Sequence, residues 1–299
     1  MLRLIKTRLF NKYLPFMKLT FLELVKIFFY KINKSLFYFR YNFKRSIRIL
    51  FKIDQKIYIQ TIKILLPPGH LLSLYNSLYP KYDKFLPNKV KDFKDNESII
   101  DIGANVGDTL FGLLGKNSKL NYHCIEADNY FFKYLKKNKD SLDLNLKKKI
   151  FLIKELVGNN LIGNLSESTT GTKSFVSLNT GTRSKKLDEI ILEHKIENIK
   201  LIKVDVDGYD YDVLFSGINE ITKNKPDLFF EYMIINEACY KGYIELIDKL
   251  YKIGYSNWTL LNNYGSIIFQ DKSYIDILKF TKSATNNNIV FDIYCNFEK

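Results

Sequence analysis

From Ser98 onward, short apolar runs alternate with segments of helical period, and that order restricts the fold more than any other property of the chain. Residues 99–102 read as a strand, residues 109–115 as a helix closed by Gly115, and residues 122–126 as a second strand. A helix over residues 130–138 and a third strand over residues 150–156 follow. This β-α-β-α-β series implies a doubly wound, mostly parallel sheet, because right-handed crossovers lay the helices on its two faces. A helix over residues 187–194, strands at 200–206 and 227–232, and an intervening helix over 210–221 continue the pattern. A helix over 238–253 and closing strands near 258–261 and 289–294 complete it. Residues 158–184, rich in Gly, Ser, Thr and Asn, are expected to form a loop or irregular hairpin at the mouth of a site.

The first strand runs into an acid and a turn with two glycines, Asp101-Ile102-Gly103-Ala104-Asn105-Val106-Gly107. Ligands of open parallel sheets bind outside the carboxyl ends of the strands, so this turn is the expected cofactor loop. Gly103 can take backbone angles closed to other residues and lets a ligand approach the main chain, while Gly107 permits close packing where the next helix begins. A dinucleotide fingerprint would place glycine where this chain has Asn105, which argues against a pyrophosphate. Asp101 instead suits a ligand with a positive charge or an amine, such as the aminocarboxypropyl arm of S-adenosylmethionine.

Acids recur at later strand ends. Glu126 ends the second strand, where a carboxylate can accept hydrogen bonds from both hydroxyls of a ribose; Asp128 suits the cap of the following helix. In Lys203-Val204-Asp205-Val206-Asp207-Gly208, period-two alternation puts Lys203, Asp205 and Asp207 on one face. These carboxylates can orient or deprotonate an acceptor hydroxyl, or hold a divalent cation through oxygen ligands. The structural alternative is a buried Lys203–Asp205 ion pair with Asp207 capping the next helix. Glu231 closes another strand, either as a site acid or as a rim charge.

Composition narrows the setting. Cys124, Cys239 and Cys295 are odd in number and widely spaced, which excludes a disulfide framework and fits a reducing cytoplasm. His70, His123 and His194 form no HxxxH or HExxH pattern, so no metal site is assigned from sequence. Of the net charge of +14, residues 1–60 hold +12, with fourteen Lys and Arg against Glu23 and Asp54. Within this extension Leu22, Val25, Phe29, Ile32 and Leu36 recur at helical spacing, so residues 1–60 are expected to form a basic amphipathic extension. Charges at Glu23, Lys26 and Lys31 argue against a spanning helix, and no cleavage site marks a secretory signal. Such a helix can lie on an anionic membrane, pack on the body or on a second copy, or bind nucleic acid, the last being least favoured. Residues 61–97, punctuated by Leu66-Pro67-Pro68-Gly69-His70, read as a lead-in of short helices and turns, and 98–299 as the catalytic domain.

Taken together, the Asp101–Gly107 turn, Ile125-Glu126-Ala127, Lys186-Leu187-Asp188-Glu189-Ile190, Lys203–Gly208, Val213-Leu214-Phe215-Ser216-Gly217 and Pro226-Asp227-Leu228-Phe229-Phe230-Glu231 resemble the FkbM family of S-adenosylmethionine-dependent methyltransferases. The resemblance spans about residues 98–235 in six ordered motifs and leaves the basic extension uncovered. It implies a class I methyltransferase (Rossmann-like) fold, with seven strands of which the last is antiparallel, and O-methylation of a hydroxyl on a sugar or natural product. By position Asp101, Gly103 and Gly107 match the cofactor loop, Glu126 the ribose-binding acid, and Asp205 and Asp207 the motif after the fourth strand. Family members usually carry glutamate where this chain has Asp207, which is shorter by one methylene.

The expected activity is S-adenosylmethionine-dependent methylation of a hydroxyl on a bacterial glycan or glycolipid precursor, in a cytoplasmic protein with peripheral contact to the inner membrane face. Asp205, Asp207 and Lys203 are the expected catalytic residues. The cofactor residues are Asp101, Gly103, Asn105, Gly107 and Glu126, with a divalent metal as an optional aid. Richness in Lys, Asn, Ile, Phe and Tyr fits an AT-rich bacterial genome. Two rival readings are a nicotinamide-dependent sugar oxidoreductase and a non-catalytic membrane- or RNA-binding module on a methyltransferase fold.

Overall fold

The computed structural model describes residues 21–166, 175–177, 180–287 and 289–297. The chain forms two compact units, Met1–Phe51 and Lys52–Lys299. In the first, helix α1 (Phe21–Leu50) runs for 30 residues without a glycine or proline to interrupt it.

The second unit opens with a hairpin, β1 (Gln55–Ile59) and β2 (Ile62–Leu66), turned at Gln60 with φ 52. The expected boundary after residue 60 therefore falls inside a hairpin, and the lead-in is not built of helices alone. Alternating buried positions at Ile59, Ile64 and Leu66 fix the hairpin to the body. Short helices α2 (Leu72–Leu78) and α3 (Phe85–Val90) follow, and Leu72, Leu86 and Val90 join the same core as Leu110, Phe111 and Leu113. The lead-in is thus one layer of the catalytic body.

The body continues with β3 (Ser98–Ile102), α4 (Asp108–Leu114), β4 (Asn121–Ile125), α5 (Asn129–Asp140), α6 (Leu144–Lys147) and β5 (Ile150–Ile153). Strands β6 (Ile162–Leu165), β7 (Phe175–Ser177) and β8 (Thr182–Arg183) form a separate small sheet where a loop or hairpin was expected. The Ser/Thr-rich stretch at 167–174 lies outside the described residues. Then come α7 (Leu187–Glu193), β9 (Ile199–Val204), α8 (Asp210–Ser216), α9 (Ile218–Asn224), β10 (Asp227–Tyr232), α10 (Glu237–Ile253), β11 (Asn257–Asn262), β12 (Ile267–Lys272), α11 (Tyr274–Asn286) and β13 (Phe291–Asn296). The single helix expected over 210–221 is broken at Gly217, where a Cβ would meet the Leu187 side chain at 2.6 Å.

The central sheet has the order β12-β11-β13-β10-β9-β3-β4-β5. Pairs from β10 through β5 are parallel, whereas β13 lies antiparallel between β10 and β11. This is the doubly wound class I arrangement with an eighth strand, β12, added antiparallel at the β11 edge. Exposed throughout most of its length, β12 lacks the alternation that reveals a half-buried strand, so its sequence gives no strand signal.

Alternate strand residues face two cores. Ile100, Ile102, Ile202 and Val204 point into one, packed by the helices between β5 and β13. Ile99, Leu201 and Cys124 point into the other, shared with the hairpin, the lead-in and α4 and α5. Asp101 and Lys203 therefore face the second layer by strand parity. Buried Asn138 joins this layer: its Oδ1 accepts from the Leu65 N–H at 2.7 Å, and its Nδ2 donates to Leu65 O at 3.0 Å and Val106 O at 2.9 Å.

Candidate active site

At the carboxyl ends of β3, β4, β9 and β10 lies a cavity of about 480 Å³, within the range of small-molecule sites. The turn after β3 forms one wall. Gly103 has φ +77, and a Cβ there would lie 2.0 Å from Asp205 O, so only glycine lets the turn and the β9 exit cross this closely. Gly107, with φ +93, lies behind the wall, where a Cβ would strike Phe111 and Leu135. The two glycines thus serve different constraints.

Four of the turn's amides donate to protein acceptors. Gly103 N and Ala104 N both donate to Ile125 O, at 3.0 and 3.1 Å, and Gly107 N donates to Ala104 O at 2.8 Å. Asn105, in the left-handed region at φ 50, donates its N–H to Glu126 Oε2 at 2.8 Å. These four amides are turned to protein acceptors, which leaves fewer donors for a pyrophosphate at this turn.

Glu126 Oε1 accepts from the Asp128 N–H at 2.7 Å, so each carboxylate oxygen is anchored by one backbone amide and keeps a lone pair for the cavity it lines. Burial pushes its pKa up to about 7 against the opposing effect of those two amides. Asp128 caps α5 through Tyr130 N and Phe131 N, as expected. His70 was not foreseen. Its Nδ1 accepts from Leu72 N–H at 3.2 Å, which leaves Nε2 protonated to donate to Asn105 Oδ1 at 3.3 Å. Burial lowers its pKa to about 4, so the ring is neutral at pH 7.

Asp101 departs from its expected place. It is 2% exposed, lies outside the cavity wall, and its Oδ1 is taken by Lys203 Nζ at 3.1 Å. Its Oδ2 is buried without a hydrogen-bond partner. The lysine also lies 3.3 Å from Asp205 Oδ2, bridging a buried acid and one whose side chain is 53% exposed. Burial opposes the Lys203 charge, yet the flanking carboxylates outweigh it and hold its pKa well above the usual range. The expected Lys203–Asp205 ion pair forms, with Asp205 half-exposed rather than buried, and Lys203, Asp205 and Asp207 all line the cavity.

Parity does not carry through to Asp207, because β9 ends at Val204 and Asp207 has φ 52. It still lines the cavity through this left-handed turn, and the cap of α8 is absent: Asp210 takes the Gly208 and Glu231 amides instead. Glu231 is a cavity acid rather than a rim charge. Its Oε2 is buried without a hydrogen-bond partner, and burial with the nearby Asp205 and Asp210 charges pushes its pKa up to about 10. Opposite it across the β10–β13 pair stands Asp292, which sequence reasoning missed. The available signal was an acid inside the otherwise apolar run Phe291-Asp292-Ile293-Tyr294.

Among the described residues the wall holds nine carboxylates and a single lysine. No three His, Cys, Asp or Glu among them are placed to hold a metal ion, so the divalent cation expected at Asp205 and Asp207 finds no support. Aromatic rings close the cavity. Tyr79 of the lead-in stacks on Tyr264 of the β11–β12 turn with centroids 3.8 Å apart, and Gly265 passes so close that a Cβ would lie 2.1 Å from Lys81 O. Tyr75, Tyr82 and Tyr264 face the interior from these two segments.

Residues 101–256, just over half of the chain, match the family described as the methyltransferase FkbM domain. No curated protein sequence matches the chain. Among solved structures, precorrin-6y C5,15-methyltransferase from Geobacter metallireducens is 8% identical with a TM-score of 0.39, covering 72% of this chain and 87% of its own. A human methyltransferase 10 domain containing protein is 13% identical with a TM-score of 0.40, over 78% of this chain and 87% of its own. The Pyrococcus abyssi tRNA (uracil-54, C5)-methyltransferase, solved with S-adenosyl-L-homocysteine, is 10% identical with a TM-score of 0.41, over 82% and 44% respectively.

Proposed function

The chain belongs to the FkbM methyltransferase family and is an S-adenosylmethionine-dependent methyltransferase, and we propose that it methylates a hydroxyl on a sugar of a bacterial glycan or glycolipid precursor. The residues fit the cofactor. Gly103 lets the turn pack against the β9 exit beside the cavity, and Glu126 presents two backbone-anchored oxygens suited to a pair of ribose hydroxyls. When bound, S-adenosylmethionine supplies an electrophilic methyl group on a sulfonium.

The observation that carries the hydroxyl reading is the pair of contrasting acids across the cavity. Lys203 holds Asp205 Oδ2, leaving Oδ1 to accept the proton that the acceptor hydroxyl loses as its oxygen bonds to carbon. Glu231, with its pKa near 10, is protonated at pH 7 and can donate a hydrogen bond to a neighbouring oxygen. One acid that accepts and another that donates, among tyrosine rings, is an arrangement suited to a polyol with an apolar ring face. Because methyl transfer is an in-line displacement, the remaining task is alignment, which the backbone contact between the Gly103 turn and Asp205 secures.

Calorimetry with S-adenosylmethionine, S-adenosylhomocysteine and NAD(H) tests the cofactor assignment, and absence of binding by the first two overturns it. Transfer of labelled methyl to a bacterial glycan extract tests the acceptor. Asp205→Asn should lower that transfer by about 10²- to 10⁴-fold while S-adenosylhomocysteine binds as before. Label found only on protein or nucleic acid would refute the sugar assignment.

A further inference from the structure

Helix α1 carries a feature that methyl transfer does not use. At 100° per residue, Phe28, Ile32, Leu36, Phe39, Phe43 and Leu50 fall on one stripe along it, and each is between 38% and 74% exposed. Arg40 and Lys44 border this stripe on one side, while Lys34, Arg45 and Arg48 lie across the helix from it. The whole helix holds seven Lys and Arg against one acid, Glu23. Its 30 residues extend for about 45 Å. No helix among the described residues is long and apolar enough to cross a membrane.

We propose that α1 is a monotopic anchor that lies flat in the interface of an anionic lipid bilayer, with its phenylalanine stripe below the headgroups and its basic face among them. Charge selects this occupant. A second copy docked along the same stripe would bring seven more cations alongside these seven, with one acid per chain to offset them. A nucleic acid would engage the cations but leave the continuous apolar stripe in water, at the full cost of its exposure. An anionic bilayer satisfies both faces at once, the stripe by burial and the cations by the surface potential. The helix would hold the enzyme at the surface where lipid-linked acceptors reside.

The full-length protein should cosediment with vesicles of phosphatidylcholine containing about one third phosphatidylglycerol, and far less with phosphatidylcholine alone. Phe39→Ser with Phe43→Ser should reduce the bound fraction at least about tenfold, and Lys44→Gln with Arg48→Gln should remove the preference for anionic lipid. Leu144→Ser, an exposed site on the body, should change neither. Undiminished S-adenosylhomocysteine binding by each variant shows that the body remains folded. No binding to anionic vesicles, or equal binding to both kinds, overturns the proposal. So does a dimer in light scattering that the Phe39/Phe43 variant converts to monomer, which would make the stripe a protein interface. None of these outcomes depends on which acceptor is methylated.

Discussion

The two halves of the cavity are built in opposite ways. The glycine-turn half, from Gly103 to Asp128, is assembled over a short stretch of sequence and held mainly by backbone amides, with Glu126 fastened by Asn105 and Asp128. The acidic half gathers Lys203, Asp205, Glu231 and Asp292 from three strands, and its order rests on charge. Of the hydrogen bonds named for the turn, only the two to Glu126 depend on ionisation. A ring of carboxylates around one lysine depends on it throughout, so the two halves should fail differently under mutation and pH.

The sharpest test of that difference is Lys203→Met, which leaves Asp101 buried without its cation. Breaking such a pair costs about 3–5 kcal/mol, and adding Asp101→Asn should return much of it. Urea unfolding measures both; a loss below about 1 kcal/mol in the single variant would show that the acidic half does not depend on this charge. Gly103→Ala attacks the other half, combining a left-handed φ with a 2.0 Å approach to Asp205 O. A strain of about 1–3 kcal/mol and at least a tenfold loss of S-adenosylhomocysteine affinity are expected from unfolding and calorimetry. Normal affinity would mean that the turn has room to shift.

The pH responses should carry opposite signs. Asp210 and Glu231 have pKa values raised to about 7 and about 10, so between the unfolded carboxylate range and those values the folded state binds more protons than the unfolded chain. Their contribution to stability is therefore lost as pH rises toward 10, visible in the melting temperature of the free protein. Glu126, raised to about 7, must be ionised to accept from ribose hydroxyls, so affinity should instead improve between pH 6 and 8, by no more than about tenfold per unit. Glu126→Gln should flatten that affinity profile. A profile that stays steep would assign the proton to another group.

The same contrast explains what the sequence could disclose. Gly103, Asn105, Gly107 and Glu126 declare themselves because local turn geometry demands those residue types within one βαβ unit. The lysine partner of Asp101 was not legible, because strand position reveals which face an acid occupies but not that a lysine 102 residues later reaches it. Asp292 and His70 enter the site through long-range packing, and the run over residues 66–70 that ends in His70 was read only as a break in regular structure. In the fold, β12 was missed because an exposed edge strand has no alternation, although the cap of α11 by Ser273 and Asp276 was legible and overlooked. The β1–β2 hairpin was hidden for a different reason, since its prolines follow the second strand rather than separate the two.

Asp101 and Lys203 are directly opposed in the parallel pairing of β3 with β9. A slip of one residue would turn Lys203 toward the layer of Ile202 and Val204, stranding two unlike charges on opposite faces of an apolar sheet. The ion pair is thus a proofreading device for assembly: strands rich in interchangeable isoleucines gain a single correct alignment, and the cavity exists only in the chain that has found it.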